Sequence, residues 1–129
     1  SSYISKLASG PFDAVVAAVM TQLKVRGFGV LTDIDVQATL KAKLGVDTPK
    51  DRMRGACNPR FAHEALKLEE RLGVLLPCNV IVRETDDHKT EVASIDPVSS
   101  LERTGNAALK AMAMEVRHLL SEAIEHVED

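Results

Sequence analysis

Two Cys-Asn dipeptides, Cys57-Asn58 and Cys78-Asn79, are the residues whose types and placement best suit chemistry in this chain. They stand in Ala56-Cys57-Asn58-Pro59 and Pro77-Cys78-Asn79-Val80, each within or at the end of an extended apolar segment. Asn58-Pro59 is a helix-start signal, because Asn accepts from the orphan amides of the first turn and Pro at the first helical position has no amide to lose. A thiol just ahead of that start faces the positive end of the helix dipole. Cys57 is therefore expected to have a lowered pKa and to be the nucleophile of the pair. Cys78 then serves as a resolving thiol or as a second ligand for a soft metal such as Cu(I) or Zn(II), with His63, one turn into the helix, as the third. Asn58 and Asn79 complete the candidate site as its polar neighbours. The separation of 21 positions matches no metal motif by itself. The competing reading makes both cysteines small buried hydrophobes, Asn58 a cap and Asn79 the partner of a neighbouring loop.

Other groupings are weaker. His118, Glu122 and His126 recur at i, i+4 and i+8 and so share one helix face, but that face reads as solvated and its last member is near a helix end. His88 falls in a turn. Asp33, Asp35 and Asp96 sit where capping and turn formation explain them first. Gly27-Phe28-Gly29 lacks the third glycine and the helix placement of a dinucleotide fingerprint, and no P-loop occurs. Met20 and Met112 fall on apolar stripes as core filler, whereas Met114 lies off its stripe, as a residue that is exposed or meets a partner.

Composition narrows the function classes. The chain has 129 residues, 16 Lys+Arg against 19 Asp+Glu and a formal net charge of −3. Its pI is about 5.8 and its mean hydropathy −0.04. This length supports a single domain over residues 1–129, since two halves would each be marginal. No apolar run is long enough to span a membrane. With no Trp, one Tyr, three Phe and no basic cluster, the chain has neither the charge nor the stacking surfaces of a nucleic-acid binder. Two cysteines are too few for a disulfide framework, which points to a reducing, cytoplasmic setting. The start Ser1-Ser2-Tyr3 lacks an initiator Met and has neither a basic region nor an apolar leader, so an expression scar and a removed leader both stay open.

The elements that position these residues follow from spacing. Tyr3, Ile4 and Leu7 suggest a short strand before the Gly10-Pro11 break. Phe12, Val15, Val16, Val19, Met20 and Leu23 then form one helical stripe over residues 11–26, with Gly27 as a left-handed cap. Residues 28–32 read as a buried strand and Asp33-Ile34-Asp35 as a turn. That turn opens a second helix carrying Val36, Leu40 and Leu44, closed by Gly45. Residues 51–57 read as a strand in which Gly55 permits close backbone approach. A third helix is expected over 59–72 with Gly73 as its stop, followed by a nearly continuous apolar strand over 74–82 at the sheet's centre. Thr85-Asp86-Asp87-His88 turns the chain into an antiparallel partner ending at Asp96-Pro97. A polar connection through Ser99, Ser100 and Thr104 leads to a final amphipathic helix over 104–127, with Leu109, Met112, Val116, Leu119, Leu120, Ala123 and Val127 on one side. The expected fold class is α+β, a single two-layer sandwich with a mostly antiparallel sheet covered by helices.

The segments Gly27-Phe28-Gly29-Val30-Leu31-Thr32-Asp33-Ile34-Asp35, Lys43-Leu44-Gly45-Val46-Asp47, Gly55-Ala56-Cys57-Asn58-Pro59 and Leu75-Leu76-Pro77-Cys78-Asn79-Val80, with Asp96-Pro97, carry a family resemblance. Over residues 3–101 the chain resembles a bacterial and archaeal family known only as domain of unknown function three hundred and two. The Ala-Cys-Asn-Pro and Leu-Pro-Cys-Asn-Val blocks are specific in combination, and Cys57, Asn58, Pro59, Pro77, Cys78 and Asn79 match its signature positions. The resemblance implies a TATA-box-binding-protein-like α+β fold and a homodimer. It implies no activity, cofactor or catalytic residue, and a fold shared with DNA-binding proteins does not bring DNA binding.

These readings converge on a homodimeric module that holds a small ligand or soft metal near Cys57, Asn58 and Cys78. One alternative is a thiol redox or sulfur-transfer protein, with the sulfur adduct on Cys57 and Cys78 resolving it. The other is a structural or interaction domain with inert cysteines.

Overall fold

In the computed structural model, which describes residues 2–127, five strands and five helices follow one another in the order β1 (Tyr3–Ala8), α1 (Phe12–Val25), β2 (Gly29–Asp35), α2 (Val36–Leu44), β3 (Asp51–Cys57), α3 (Pro59–Leu68), β4 (Cys78–Glu84), β5 (Thr90–Ile95), α4 (Pro97–Leu101) and α5 (Ala107–Glu125). Single 3-10 turns follow α3 and α4. Ser1, on which the reading of the chain's start rests, lies outside the described residues. The strands form one sheet, β1-β5-β4-β3-β2, antiparallel at every pairing. This is the α+β sandwich that the spacing predicts.

Local chemistry sets the helix boundaries. At the end of α1 the amide of Phe28 donates to Leu23 O and that of Gly27 to Lys24 O, a double closure that requires Gly27 at φ +86°. Asp35 caps α2 by accepting from Ala38 N at 2.9 Å, and Gly45 closes that helix at φ +70°. Asn106 starts α5 by accepting from the amides of Ala108 and Leu109.

The pleat separates two faces. Toward the helices run Val82 and Val92 in one cross-strand row and Val80 and Ser94 in the next, all fully or nearly fully buried. Val15, Val19 and Leu23 of α1 and Leu120, Ala123 and Ile124 of α5 cover them in one apolar cluster. The same rows end in charge toward β2. There Arg54, only 5% exposed, donates to Val16 O in α1 at 3.2 Å and lies 3.5 Å from Asp33. Arg52 grips the same carboxylate at 2.7 and 3.1 Å. These guanidinium donors, Arg52 foremost, hold the Asp33 carboxyl below its ordinary range.

The structure changes several boundaries. Residues 29–35 form a strand through Asp33-Ile34-Asp35 instead of turning there, and it is an exposed edge rather than a buried strand. A register shift between Val30 and Thr32 absorbs the odd residue and resets which side chains face the helices. The third helix stops at Leu68, and Val74 and Leu75 lie in a 3-10 turn with their side chains exposed, so β4 begins only at Cys78. Pro77 explains this late entry, since a proline cannot donate to a ladder bonded on both sides. β4 is nonetheless the sheet's centre. The connection after Ile95 holds the short helix α4, started by Asp96 as cap and Pro97 as first residue.

Gly55 has little room. A methyl group there would fall 2.6 Å from Pro77 Cγ and would overlap Thr32 Oγ1, which accepts from the Gly55 amide. The closeness read from the sequence is thus a contact with two neighbouring elements. Gly55→Ala is expected to cost about 1–3 kcal/mol by overpacking. Gly73→Ala, where nothing lies within 4 Å, should range from neutral to a gain of about 1 kcal/mol. Urea unfolding of both variants checks the contrast.

Candidate functional site

β3 and β4 pair along their length, and both cysteines fall at the same end of that ladder. Ala56 stands directly opposite Cys78, so Cys57 is one residue along from that pair, at the point where β3 gives way to α3. Both thiols are free and half-buried. They line one small cavity of about 50 Å³. Phe61 and Ala65 of α3 close one side, and Met112 and Val116 of α5 close another. Several of the wall positions are alanines, so the helices approach closely while leaving space. About 50 Å³ accommodates only a few atoms, since one water needs roughly 10–15 Å³ on this measure.

The electrostatics reverse the expectation for Cys57. Burial pushes its thiol up, and burial followed by the proximity of Cys57 pushes Cys78 up to about 11. Desolvation disfavours a thiolate in these apolar walls more than the start of α3 favours it. The predicted cap is also altered. Asn58 occupies the cap position and Pro59 follows it, but the Asn58 side chain makes no capping hydrogen bond. It lies against Gly27 instead, where a methyl group would come within 3.3 Å of Asn58 Nδ2.

The remaining candidates separate. Asn79 follows Cys78 in the strand, so the pleat sends it to the opposite face, where it is exposed across from Gly55. His63 is exposed on α3 and is not among the cavity's lining residues. His118 Nε2 reaches Glu122 Oε1 at 3.1 Å, while His126 Nδ1 lies 2.8 Å from the Glu122 carbonyl oxygen. Among the described residues no three or more His, Cys, Asp or Glu side chains gather where they could hold a metal ion. Met112, read as core filler, is a cavity wall, and Met114 is exposed. The contributions of Phe61, Ala65 and Val116 were missed, although small and apolar residues at helical spacing after Asn58-Pro59 were the available signal.

The second face of the sheet has its own character. One cross-strand row runs Ala93, Ile81, Met53, Ile34 across four strands. Met53 is 40% exposed, Ile34 47% and Tyr3, on the same face, 70%. The turn at Val74 and Leu75 rims a groove on this face together with Tyr3, Ile81 and Ile95. Leu76 and Pro77 belong to both the groove and the cavity and form the wall between them. Among the described residues no helix is long and apolar enough to cross a membrane.

Comparison with known proteins places the chain beside a described family and solved structures. Residues 4–127 match the family model described as "Domain of unknown function DUF302". A solved structure, "Crystal structure of uncharacterized conserved protein DUF302 from Bacillus stearothermophilus", aligns with a TM-score of 0.92 over 98% of each chain at 23% sequence identity. No curated protein matches. The family match extends through α5, beyond the limit at residue 101 read from the motifs alone.

Because burial raises both thiols, alkylation by iodoacetamide should be slow for each at pH 7.5 and accelerate only as pH rises past the ordinary thiol range of about 8.5. Cys78 should require the higher pH, near 11. Peptide mapping across a pH series measures this directly, and a Cys57 that reacts rapidly at pH 7 would contradict the desolvated environment.

Proposed function

The chain belongs to the DUF302 family, whose model spans nearly all of it, and from that premise we propose that it acts as a homodimeric binding module for a small apolar or soft ligand held beside Cys57 and Cys78. One observation carries this reading: a small cavity, apolar but for the two thiols and Asn58, lies where the central strands meet α3 and α5. Its size and walls favour an occupant of a few atoms with little hydrogen-bonding demand. Drug-sized ligands fill pockets of roughly 300–1,000 Å³. The raised thiols also weigh against a nucleophilic Cys57, and so against the redox and sulfur-transfer alternative.

The open sheet face supports the homodimer. An antiparallel sheet that turns one face to water normally alternates apolar and polar residues, but here both faces carry apolar rows. Ile34, Met53, Ile81 and Ala93 form a cross-strand apolar stripe that a second copy can meet with the same stripe about a two-fold axis. Pairing there would cover Tyr3 and the rim at Val74 and Leu75.

Sedimentation velocity should give a dimer for the parent protein and a monomer for Met53→Arg, with unchanged circular dichroism. Xenon is a suitable neutral probe of the cavity. It should shift the NMR methyl signals of Ala65 and Ala113, and Ala113→Val should abolish those shifts by occupying the space. A monomeric parent would remove the dimer from the reading, and unmoved methyl signals under xenon would remove the binding cavity.

A further inference from the structure

The cavity brings together more sulfur than the two thiols. Cys57, Cys78 and Met112 all line it, while Asn58 supplies its one polar side chain other than the thiols. The imidazole and carboxylate donors that complete a tetrahedral zinc site are not among the lining residues. Two thiols and a thioether form a soft, low-coordinate donor set, which selects a monovalent d10 ion over Zn(II) or harder cations. The cavity volume of about 50 Å³ suits a single ion with no retained shell of water.

We propose that Cys57 and Cys78 bind one thiophilic monovalent cation of the Cu(I) class as a bis-thiolate, with Met112 as a third sulfur donor. This deepens the preceding reading and rests on it, naming the soft ligand that the cavity takes. Binding forms three metal–sulfur bonds, two to the cysteine sulfurs with the breaking of their two S–H bonds and one to the Met112 thioether, which loses no proton. The two protons pass to solvent, and neither metal nor sulfur changes oxidation state. The product carries one net negative charge. α3 supplies a compensating feature, since its N-terminus adjoins Cys57 and the Asn58 side chain leaves the first-turn amides uncapped. His63 has no part in this site, where Met112 stands in place of the imidazole expected from sequence.

The test uses the full chain with Cu(I) under anaerobic conditions against a chromophoric Cu(I) chelator, with Ag(I) and Zn(II) in parallel. One equivalent of Cu(I) or Ag(I) should be retained, with Zn(II) left free. Cys57→Ser and Cys78→Ser should each weaken Cu(I) binding by more than about 100-fold, exceeding the loss typical of an outer-shell change. Met112→Leu should weaken it less, and His63→Ala should leave it unchanged. X-ray absorption should show sulfur-only coordination by three atoms, falling to two in Met112→Leu. Xenon binding by each Ser variant checks that its cavity is intact. Failure of the parent to retain Cu(I) or Ag(I), equal retention by both Ser variants, or comparable Zn(II) binding would overturn the proposal. If xenon still entered, the broader cavity reading would survive, and if xenon were excluded as well, both would fall.

Discussion

The register between β3 and β4 is the constraint on which the rest of the structure depends. It sets Arg54 against Val80, Gly55 against Asn79 and Ala56 against Cys78. A slip of one residue would exchange the two faces of a strand. It would turn Val80 and Val82 away from α1 and α5 and carry Cys78 out of the cavity. Gly55 is part of what holds this register, because only a residue without a side chain fits beneath Pro77 and Thr32. The cavity is a by-product of the same geometry. Where β3 ends and β4 begins, the sheet narrows, and α3 and α5 close over the gap with Ala62, Ala65 and Ala113 set among larger residues such as Phe61 and Met112.

Much of the fold was legible because its signals are local. Stripes at helical spacing located α1, α2 and α5, and the β-branched run at Val80-Ile81-Val82 located the central strand. The errors fall where tertiary context outweighs local preference. Residues 28–32 looked buried because they are apolar, but an edge position leaves Leu31 exposed. Val74 and Leu75 looked like strand because they adjoin one. Asp96-Pro97 offered the same start signal that identified α3, yet the serines after it resembled a loop, and a five-residue helix is too short to show a period.

The site was only half legible. The chain order allowed the strands that carry the two thiols to be neighbours, and the β3–β4 ladder supplies that neighbourhood. The thiols' electrostatics could not be inferred, because a helix N-terminus is visible in sequence while the apolar walls of a cavity come from α3 and α5, far apart along the chain. The repeated Cys-Asn dipeptide also suggested a symmetry that the pleat removes: Asn58 turns toward Gly27, whereas Asn79 lies on the other face. Met112 was assigned to the core on its spacing, and only the packing of α5 reveals that this part of the core encloses space.

The sheet order has a consequence for how the chain acquires its structure during synthesis. β1, the earliest of these five strands along the chain, pairs with β5, which begins some eighty residues later. The link is reinforced from the far end, where Lys6 Nζ donates to the carbonyls of Glu125 and Val127. Antiparallel contacts among β2, β3, β4 and β5 can form as each strand emerges, but β1 has no ladder to join until Thr90–Ile95 has left the ribosome. Closing so long a loop is slow relative to forming local contacts. Throughout that interval Tyr3–Ala8 is an unpaired strand beside exposed apolar surface, the state in which a nascent chain is most open to chaperones or to aggregation.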